Sequence, residues 1–320
     1  MNRDRHLGRT GIVSRGSDNA KRRVLIGLVG APIASSASPA LHEAAARAAG
    51  IEAWYHLIEI AGADRTTLRA VLDSVRLLGF AGVNVTYPYK EAVVDLLDEL
   101  EPGAAAMGAV NTVVVRGGRL IGHNTDASGF RAAYDRMVAA CGSSGGPASV
   151  ALIGAGGVGR AIAFALARPG GPELRLFDAE PARAEDLARR LGPDGRACVA
   201  GSVETAVEGA GAIINATPLG MAPDIRSPVP AGLIAAGQIA VDVVYSPLIT
   251  PFLRMARERG ARLMTGRELV IHQALDGFRL FTGLEGSESA MTAAFDAVMA
   301  ARRAAVDDMS AERDKSRLNS

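Results

Sequence analysis

ASVALIGAGGVGRAIAFALA, residues 148–167, is an apolar run that breaks at a glycine-rich turn and resumes as a helix. VALI reads as a buried strand ending at Gly154. Gly154, Gly156 and Gly159 carry the G-x-G-x-x-G spacing. Gly154 suits the tight turn, Gly156 lets backbone N–H groups approach a pyrophosphate, and Gly159 lets the helix pack close on the strand. The helix N-terminus beyond adds favourable charge for phosphates. Ala155, Gly157 and Val158 complete the turn and are counted with the same site. The spacing alone is weak evidence, and its ordinary reading is a glycine turn with an unrelated surface acid. Here Asp178 ends the next strand about 20 residues on, where a dinucleotide motif expects a carboxylate. That carboxylate can accept from both ribose hydroxyls of NAD and would repel the 2′-phosphate of NADP. Arg183 lies a turn into the following helix, so NAD is expected ahead of NADP.

Outward from this stretch the segments alternate. ELRLFDA reads as strand, PARAEDLARRLG as helix, and GAIINAT and QIAVDVVY as later strands. Upstream, behind a Gly/Ser linker GSSGGP, VLIGLVG, AWYHLIEI and FAGVNVTY read as strands, with Trp54 and Tyr55 counted as strand core. SPALHEAAARAAG, DRTTLRAVLDSVRLLG and ASGFRAAYDRMVAAC read as helices, and NTVVVRGGRLIGHNTD as a hairpin turning at RGG. Alternation of this kind implies an α/β fold with parallel sheets covered by helices. Two such lobes leave a cleft between them, the usual place for a small-molecule site.

The composition narrows the function. A net charge of +1 gives no argument for nucleic acid or an anionic membrane as partner. Cys141 and Cys198 are too few for a disulfide framework and fit a reducing, cytoplasmic setting. His42, His56, His123 and His272 have no metal-ligand spacing, so no metal is expected. The first 23 residues are basic and polar, without the apolar stretch of a signal peptide.

GVNVTYPYK, residues 82–90, poses a question of its own. Pro88 suits the first turn of a helix running on as KEAVVDLLDEL. Lys90 then puts a cation where the helix dipole is already positive, which stability alone would not choose.

Seven stretches in order, GAPIASSASPALHEAA, GVNVTYPYK, GAVNT, GHNTDASGF, GAGGVGRA, NATPLGM and HQALDGFRLFTG, resemble the shikimate/quinate dehydrogenases. The resemblance runs from about residue 26 to residue 283. It implies reversible hydride transfer between a nicotinamide and a ring carbon of shikimate or quinate, polyhydroxy cyclohexene or cyclohexane carboxylates. It further implies two domains: residues 24–125 with about 270–305 for the substrate, and 126–269 as a Rossmann-type NAD-binding domain with a parallel sheet. Residues 1–23 and 306–320 are left as disordered ends, and the protein is expected to be a monomer or homodimer.

By matching motif, Lys90 is implied as the acid/base, paired with Asp126. Ser36 and Ser38 would hold the substrate carboxylate, and Asn84, Thr86, Asn111, Asp126, Tyr245 and Gln273 the rest of the ring. Thr217, Pro218, Met221, Val243 and Gly266 would lie beside the cofactor. Ketone reduction needs a proton donor at the developing alkoxide, and the reverse reaction needs a base. Each residue also has an ordinary reading. Lys90 can be a solvated first-turn lysine, Asp126 an N-cap, Ser36 and Ser38 caps before Pro39, and Asn111 a partner for local backbone. Tyr245 faces the nicotinamide pocket or the core. Ser35 stands where many members carry His, and the basic cluster of NADP-using members is missing. The third glycine of the turn and that missing cluster lean toward the NAD-using branch. The retained serine pair keeps shikimate a candidate beside quinate. The alternatives are an NADP-linked biosynthetic enzyme, a relative acting on an aminated analogue, and a non-catalytic nucleotide sensor.

Overall fold

The computed structural model describes residues 22–142 and 146–318, and these build two six-stranded sheets. The first holds β1 (Arg23–Gly30), β2 (Glu52–Glu59), β3 (Gly82–Val85), β4 (Glu99–Leu100), β5 (Thr112–Arg116) and β6 (Arg119–His123), in the order β2-β1-β3-β5-β6-β4. β2, β1 and β3 run parallel, whereas β3–β5 and β5–β6 are antiparallel, so this sheet is mixed. The hairpin at Gly117 and Gly118 is the reason, because a two-residue turn can only return the chain antiparallel. Helices α1 (Ser38–Ala48), α2 (Arg65–Leu77), α3 (Pro102–Met107) and α4 (Thr125–Ala140) punctuate this half.

The second sheet is parallel throughout. It holds β7 (Ser149–Ile153), β8 (Glu173–Phe177), β9 (Ala197–Val199), β10 (Ala212–Asn215), β11 (Ile239–Asp242) and β12 (Arg262–Met264), in the order β12-β11-β10-β7-β8-β9. Its helices are α5 (Gly157–Leu166), α6 (Pro181–Leu191), α7 (Val203–Val207) and α8 (Pro251–Glu258). Counted from β7, this is the doubly wound 3-2-1-4-5-6 arrangement, whose direction of winding reverses between β7 and β10. The crevice beyond the carboxyl ends of those two strands is where such sheets bind a dinucleotide. Gly154 follows β7 and Thr217 follows β10.

The last two helices return to the first sheet. α9 (Gly266–Thr282) sets Leu269 in the core of the second sheet, and Ile271, Ala274, Phe278 and Phe281 in that of the first. α10 (Glu288–Leu318) adds Met291, Phe295 and Met299 to the core around Leu41. α4 and α9 cross closely at Gly129, where a Cβ would stand 2.5 Å from the Gln273 backbone nitrogen.

Three expectations change. No helix opens at Pro88: residues 88–93 form successive turns leading into a short 3₁₀ turn at Val94–Leu96. In an α-helix the Lys90 carbonyl would accept from Val94, but here it accepts from Val110 N at 2.8 Å. Trp54 is 55% exposed on the edge strand β2, its ring covered by the Arg23 guanidinium at 5.6 Å, while Tyr55 is buried. The tail expected to be disordered from residue 306 continues α10 to Leu318, a stretch from Glu288 with neither Gly nor Pro to stop it. At the other end β1 already starts at Arg23, while residues 1–21 and linker residues 143–145 lie outside the described residues.

Candidate active site

The turns after β3 and the start of α4 bring Lys90 and Asp126 together. Lys90 Nζ donates to Asp126 Oδ2 at 2.6 Å, with the side chains only 13% and 8% exposed. Lys90 is one of only three lysines among 35 basic residues in the chain. Its stem lies on the glycine-rich turn, where a Cβ at Gly157 would stand 3.2 Å from Lys90 Cδ. Capping does not explain Asp126, because Asn124 is the N-cap of α4 and its side chain accepts from Asp126 N at 3.1 Å. Asp126 is therefore free to face Lys90.

Asn111 fixes the other carboxylate oxygen, donating from Nδ2 to Asp126 Oδ1 at 2.9 Å. Its own oxygen accepts from Thr125 N at 2.8 Å and Thr112 Oγ1 at 3.0 Å, so the amide orientation is determined by its neighbours. From Thr112 the network continues to Asn84, whose Nδ2 donates to Thr112 Oγ1 at 3.0 Å. Asn84 Oδ1 accepts from the Tyr55 hydroxyl at 2.8 Å. Burial pushes the Tyr55 phenol up, while the neighbouring Ser38 hydroxyl acts the other way. Ser36 Oγ donates to Ser38 Oγ at 3.1 Å. A chain of polar side chains thus runs from the serine pair at the start of α1 to Lys90. Behind it, His42 is buried with its ring 4.9 Å from that of Tyr55, and burial pushes its pKa down to about 3, which keeps it neutral.

The remaining substrate-side candidates are half-buried, and Tyr245 lies against the core of the first sheet. The Thr86 hydroxyl has no hydrogen-bond partner among the described residues, and its methyl packs against the Gly30 backbone at the end of β1. Tyr245 packs edge-on against Phe295 at 5.9 Å; burial pushes its phenol up, and the Ala37 backbone amide acts in the opposite direction. Gln273 is turned back on its own helix, donating to Val270 O at 3.1 Å.

On the cofactor side, Gly154 has φ +104°, and a Cβ there would meet the Ala216 carbonyl at 2.8 Å. A Cβ at Gly159 would stand 2.0 Å from Gly154 O, whereas one at Gly156 would meet nothing within 4 Å. The turn is thus tight underneath and open above, a cradle suited to a phosphate on the helix N-terminus. Ala155 N donates to Asp178 Oδ2 at 2.7 Å, so the carboxylate at the end of β8 is tied to the turn itself. Arg183 is held by Glu180 at 2.6 Å and feels the Asp178 charge without pairing with it among the described residues. Val158 packs on the sheet core and Gly266 lies under the Val243 backbone, while Pro218 and Met221 are exposed on the loop after β10.

Sequence reasoning missed the support of that loop. Asn215 Oδ1 accepts from Thr217 N at 3.0 Å and Thr217 Oγ1 at 2.7 Å. Its Nδ2 donates to Asp242 Oδ1 at 3.0 Å, and Thr250 Oγ1 donates to Asp242 Oδ2 at 2.6 Å. Asp242 is completely buried, and that burial pushes its pKa up to about 6. An acid inside the apolar strand IAVDVV was the available signal. Among the described residues no group of three His, Cys, Asp or Glu could hold a metal ion, and no helix is long and apolar enough to cross a membrane.

Residues 28–113 match the family described as shikimate dehydrogenase substrate binding domain, and residues 149–245 the one described as NADP oxidoreductase, coenzyme F420-dependent. The chain is 41% identical over 281 residues to the quinate/shikimate dehydrogenase (NAD(+)) of Corynebacterium efficiens, covering 85% of this chain and 97% of that one. It is 42% identical over 277 residues to the shikimate dehydrogenase (NADP(+)) of Streptomyces avermitilis, covering 84% and 94%. Among solved structures, quinate dehydrogenase from Corynebacterium glutamicum in complex with NAD superposes with a TM-score of 0.78 at 38% identity, over 87% of this chain and all of that one.

Proposed function

The chain belongs to the shikimate/quinate dehydrogenase family, and on that premise we propose that it interconverts shikimate and 3-dehydroshikimate with NAD, and quinate with 3-dehydroquinate as a further pair. The observation that carries the reading is the Lys90–Asp126 contact at 2.6 Å, made from motifs 36 residues apart, on the glycine-rich turn. The turn fits a dinucleotide: it is open at Gly156, closed beneath at Gly159, and followed by Asp178 at the end of β8. Bound there, NAD supplies the hydride acceptor. Residues Gly154 to Gly159 hold its pyrophosphate and Asp178 its ribose hydroxyls, and the loop around Thr217 and Met221 lies beside its nicotinamide.

Residues 24–125 with about 270–305 hold the substrate, and 126–269 hold the cofactor. Ser36 and Ser38 bind the ring carboxylate, while Asn84, Thr86, Asn111 and Gln273 bind ring hydroxyls, Thr86 with a hydroxyl that has no partner among the described residues. As the ring C–O becomes a carbonyl, its proton passes to Lys90, oriented by Asp126, and in reduction it returns from there. The enzyme works in the cytoplasm, which its two free cysteines suit, as a monomer or homodimer.

The test is NADH or NADPH formation from shikimate, and separately from quinate, with each cofactor. NAD-dependent turnover of shikimate is expected, with kcat falling at least about a hundredfold in Lys90→Met. NADP preference would overturn the assignment of Asp178, and a Lys90→Met variant with near-normal turnover would overturn that of Lys90.

A further inference from the structure

Arg160 follows Gly159 on α5, and its side chain is only 8% exposed. Its Nη2 stands 3.4 Å from Glu91 Oε2 and 3.2 Å from Asp186 Oδ2, while its buried Nε has no partner among the described residues. A buried guanidinium left partly unpaired is unfavourable, so stability alone does not account for it. The partners give it a reason. Asp186 belongs to α6 and is already held from its own helix by Arg189 at 2.9 Å and Arg190 at 2.8 Å. Glu91 belongs to the other half of the molecule and directly follows Lys90. Arg190 reinforces the same junction, its guanidinium lying 2.9 Å from where a Cβ on Gly108 would be.

We propose that Arg160 is a positioning residue: through Glu91 it latches the two lobes and sets Lys90 against the glycine-rich turn. Asp186 anchors the arginine on the cofactor side, and Glu91 is the side that lets go. The backbone on either side of the latch is already engaged. Lys90 O is held by Val110 N, and the Lys90 stem touches Gly157, so movement of Glu91 is transmitted to the Nζ rather than absorbed by a loose loop. The proposal rests on the proton-transfer role given to Lys90 and goes beyond it to what places that lysine.

The experiment reads Lys90 directly, which only three lysines in the chain make practical. Amine acylation of the full-length, cofactor-free protein is followed by peptide mass spectrometry in wild type, Glu91→Gln, Glu91→Asp and Arg160→Met. Glu91 is 45% exposed, so its variants are expected to fold even where Arg160→Met does not. Glu91→Gln should label Lys90 several-fold faster and lower kcat about fivefold, with the melting temperature and the NAD dissociation constant unchanged. Glu91→Asp should recover part of both effects, and Glu91→Gln should add nothing in the Arg160→Met background. Unchanged labelling with kcat within about twofold of wild type would overturn the latch, as would equal effects of Glu91→Gln in both backgrounds. The labelling readout is independent of turnover, so a failure of the dehydrogenase assignment appears in Lys90→Met kinetics and is not confused with it.

Discussion

Asp242→Asn isolates the buried carboxylate beneath the cofactor-side loop. Burial raises the Asp242 pKa from 3.8 to about 6. The native state therefore holds this proton more tightly than the unfolded chain. The associated stability is complete below the unfolded value and is lost as pH rises through about 6. A difference of roughly two units corresponds to about 3 kcal/mol. The introduced amide is neutral throughout. Its oxygen can keep accepting from Asn215 Nδ2 and Val244 N, which both reach Oδ1, at 3.0 and 2.9 Å. Its NH₂ would face Thr250 Oγ1, which already accepts from Leu253 N, so the threonine proton loses its acceptor at a cost of about 1 kcal/mol. The variant should thus be about 2 kcal/mol more stable than wild type near pH 7.5 and about 1 kcal/mol less stable near pH 4. Urea unfolding at both pH values reads the difference between the two proteins, in which other titrating groups cancel. A difference that is destabilising and the same at both pH values would refute the reasoning.

Other perturbations test the placement of the pair. Gly129→Ala places a Cβ 2.5 Å from the Gln273 nitrogen, so α4 and α9 must separate; thermal melts should show a loss of about 1–3 kcal/mol, with kcat falling because Asp126 lies one turn away. Gly157→Ala places its methyl 3.2 Å from Lys90 Cδ on a backbone that alanine accepts. It should leave the melting temperature within a degree or two while lowering kcat roughly tenfold, a displacement of Nζ worth about 1.4 kcal/mol. Asn111→Ala removes the donor to Asp126 Oδ1 and the acceptor for Thr125 N. About 2 kcal/mol of stability and roughly tenfold in kcat should be lost together, measured by urea unfolding and steady-state kinetics.

The four inner strands of the second sheet were legible because their information is local, whereas the three-residue edge strands β9 and β12 went unread. Parallel strands buried on both faces read as unbroken apolar runs, and the glycines of residues 154–159 mark where strand turns to helix. Alternation gave a parallel sheet covered by helices, whereas the strand order and its reversal between β7 and β10 came only with the fold. Trp54 misled because neighbouring side chains of a strand point to opposite faces: on β2, Tyr55 enters the core beside Leu41 and His42, and Trp54 is turned to solvent. Asp242 went unnoticed because its partners come from the end of β10 and the loop after β11, apart in sequence and joined only by the fold.

The helix expected at Pro88 failed for a reason that bears on the chemistry. Val93, Val94, Leu96 and Leu97 have helical spacing, and the Lys90 charge in the first turn opposes a helix only weakly. The decision is made 20 residues away, where Val110 N takes the Lys90 carbonyl. The next residue, Asn111, takes Asp126 Oδ1, and the one after it, Thr112, pairs with Asn84 on β3. One extended segment therefore holds the lysine by its backbone and the carboxylate by a side chain. Shifting that strand by a single residue would turn Asn111 to the opposite face and move the carbonyl's partner as well. The quoted motif GAVNT identified these residues without revealing that they connect the pair. The lysine seemed misplaced only while it was assigned to a helix of its own; with its carbonyl paired across the fold, it stands beside the first turns of α5 and α4, where Asp126 answers its charge.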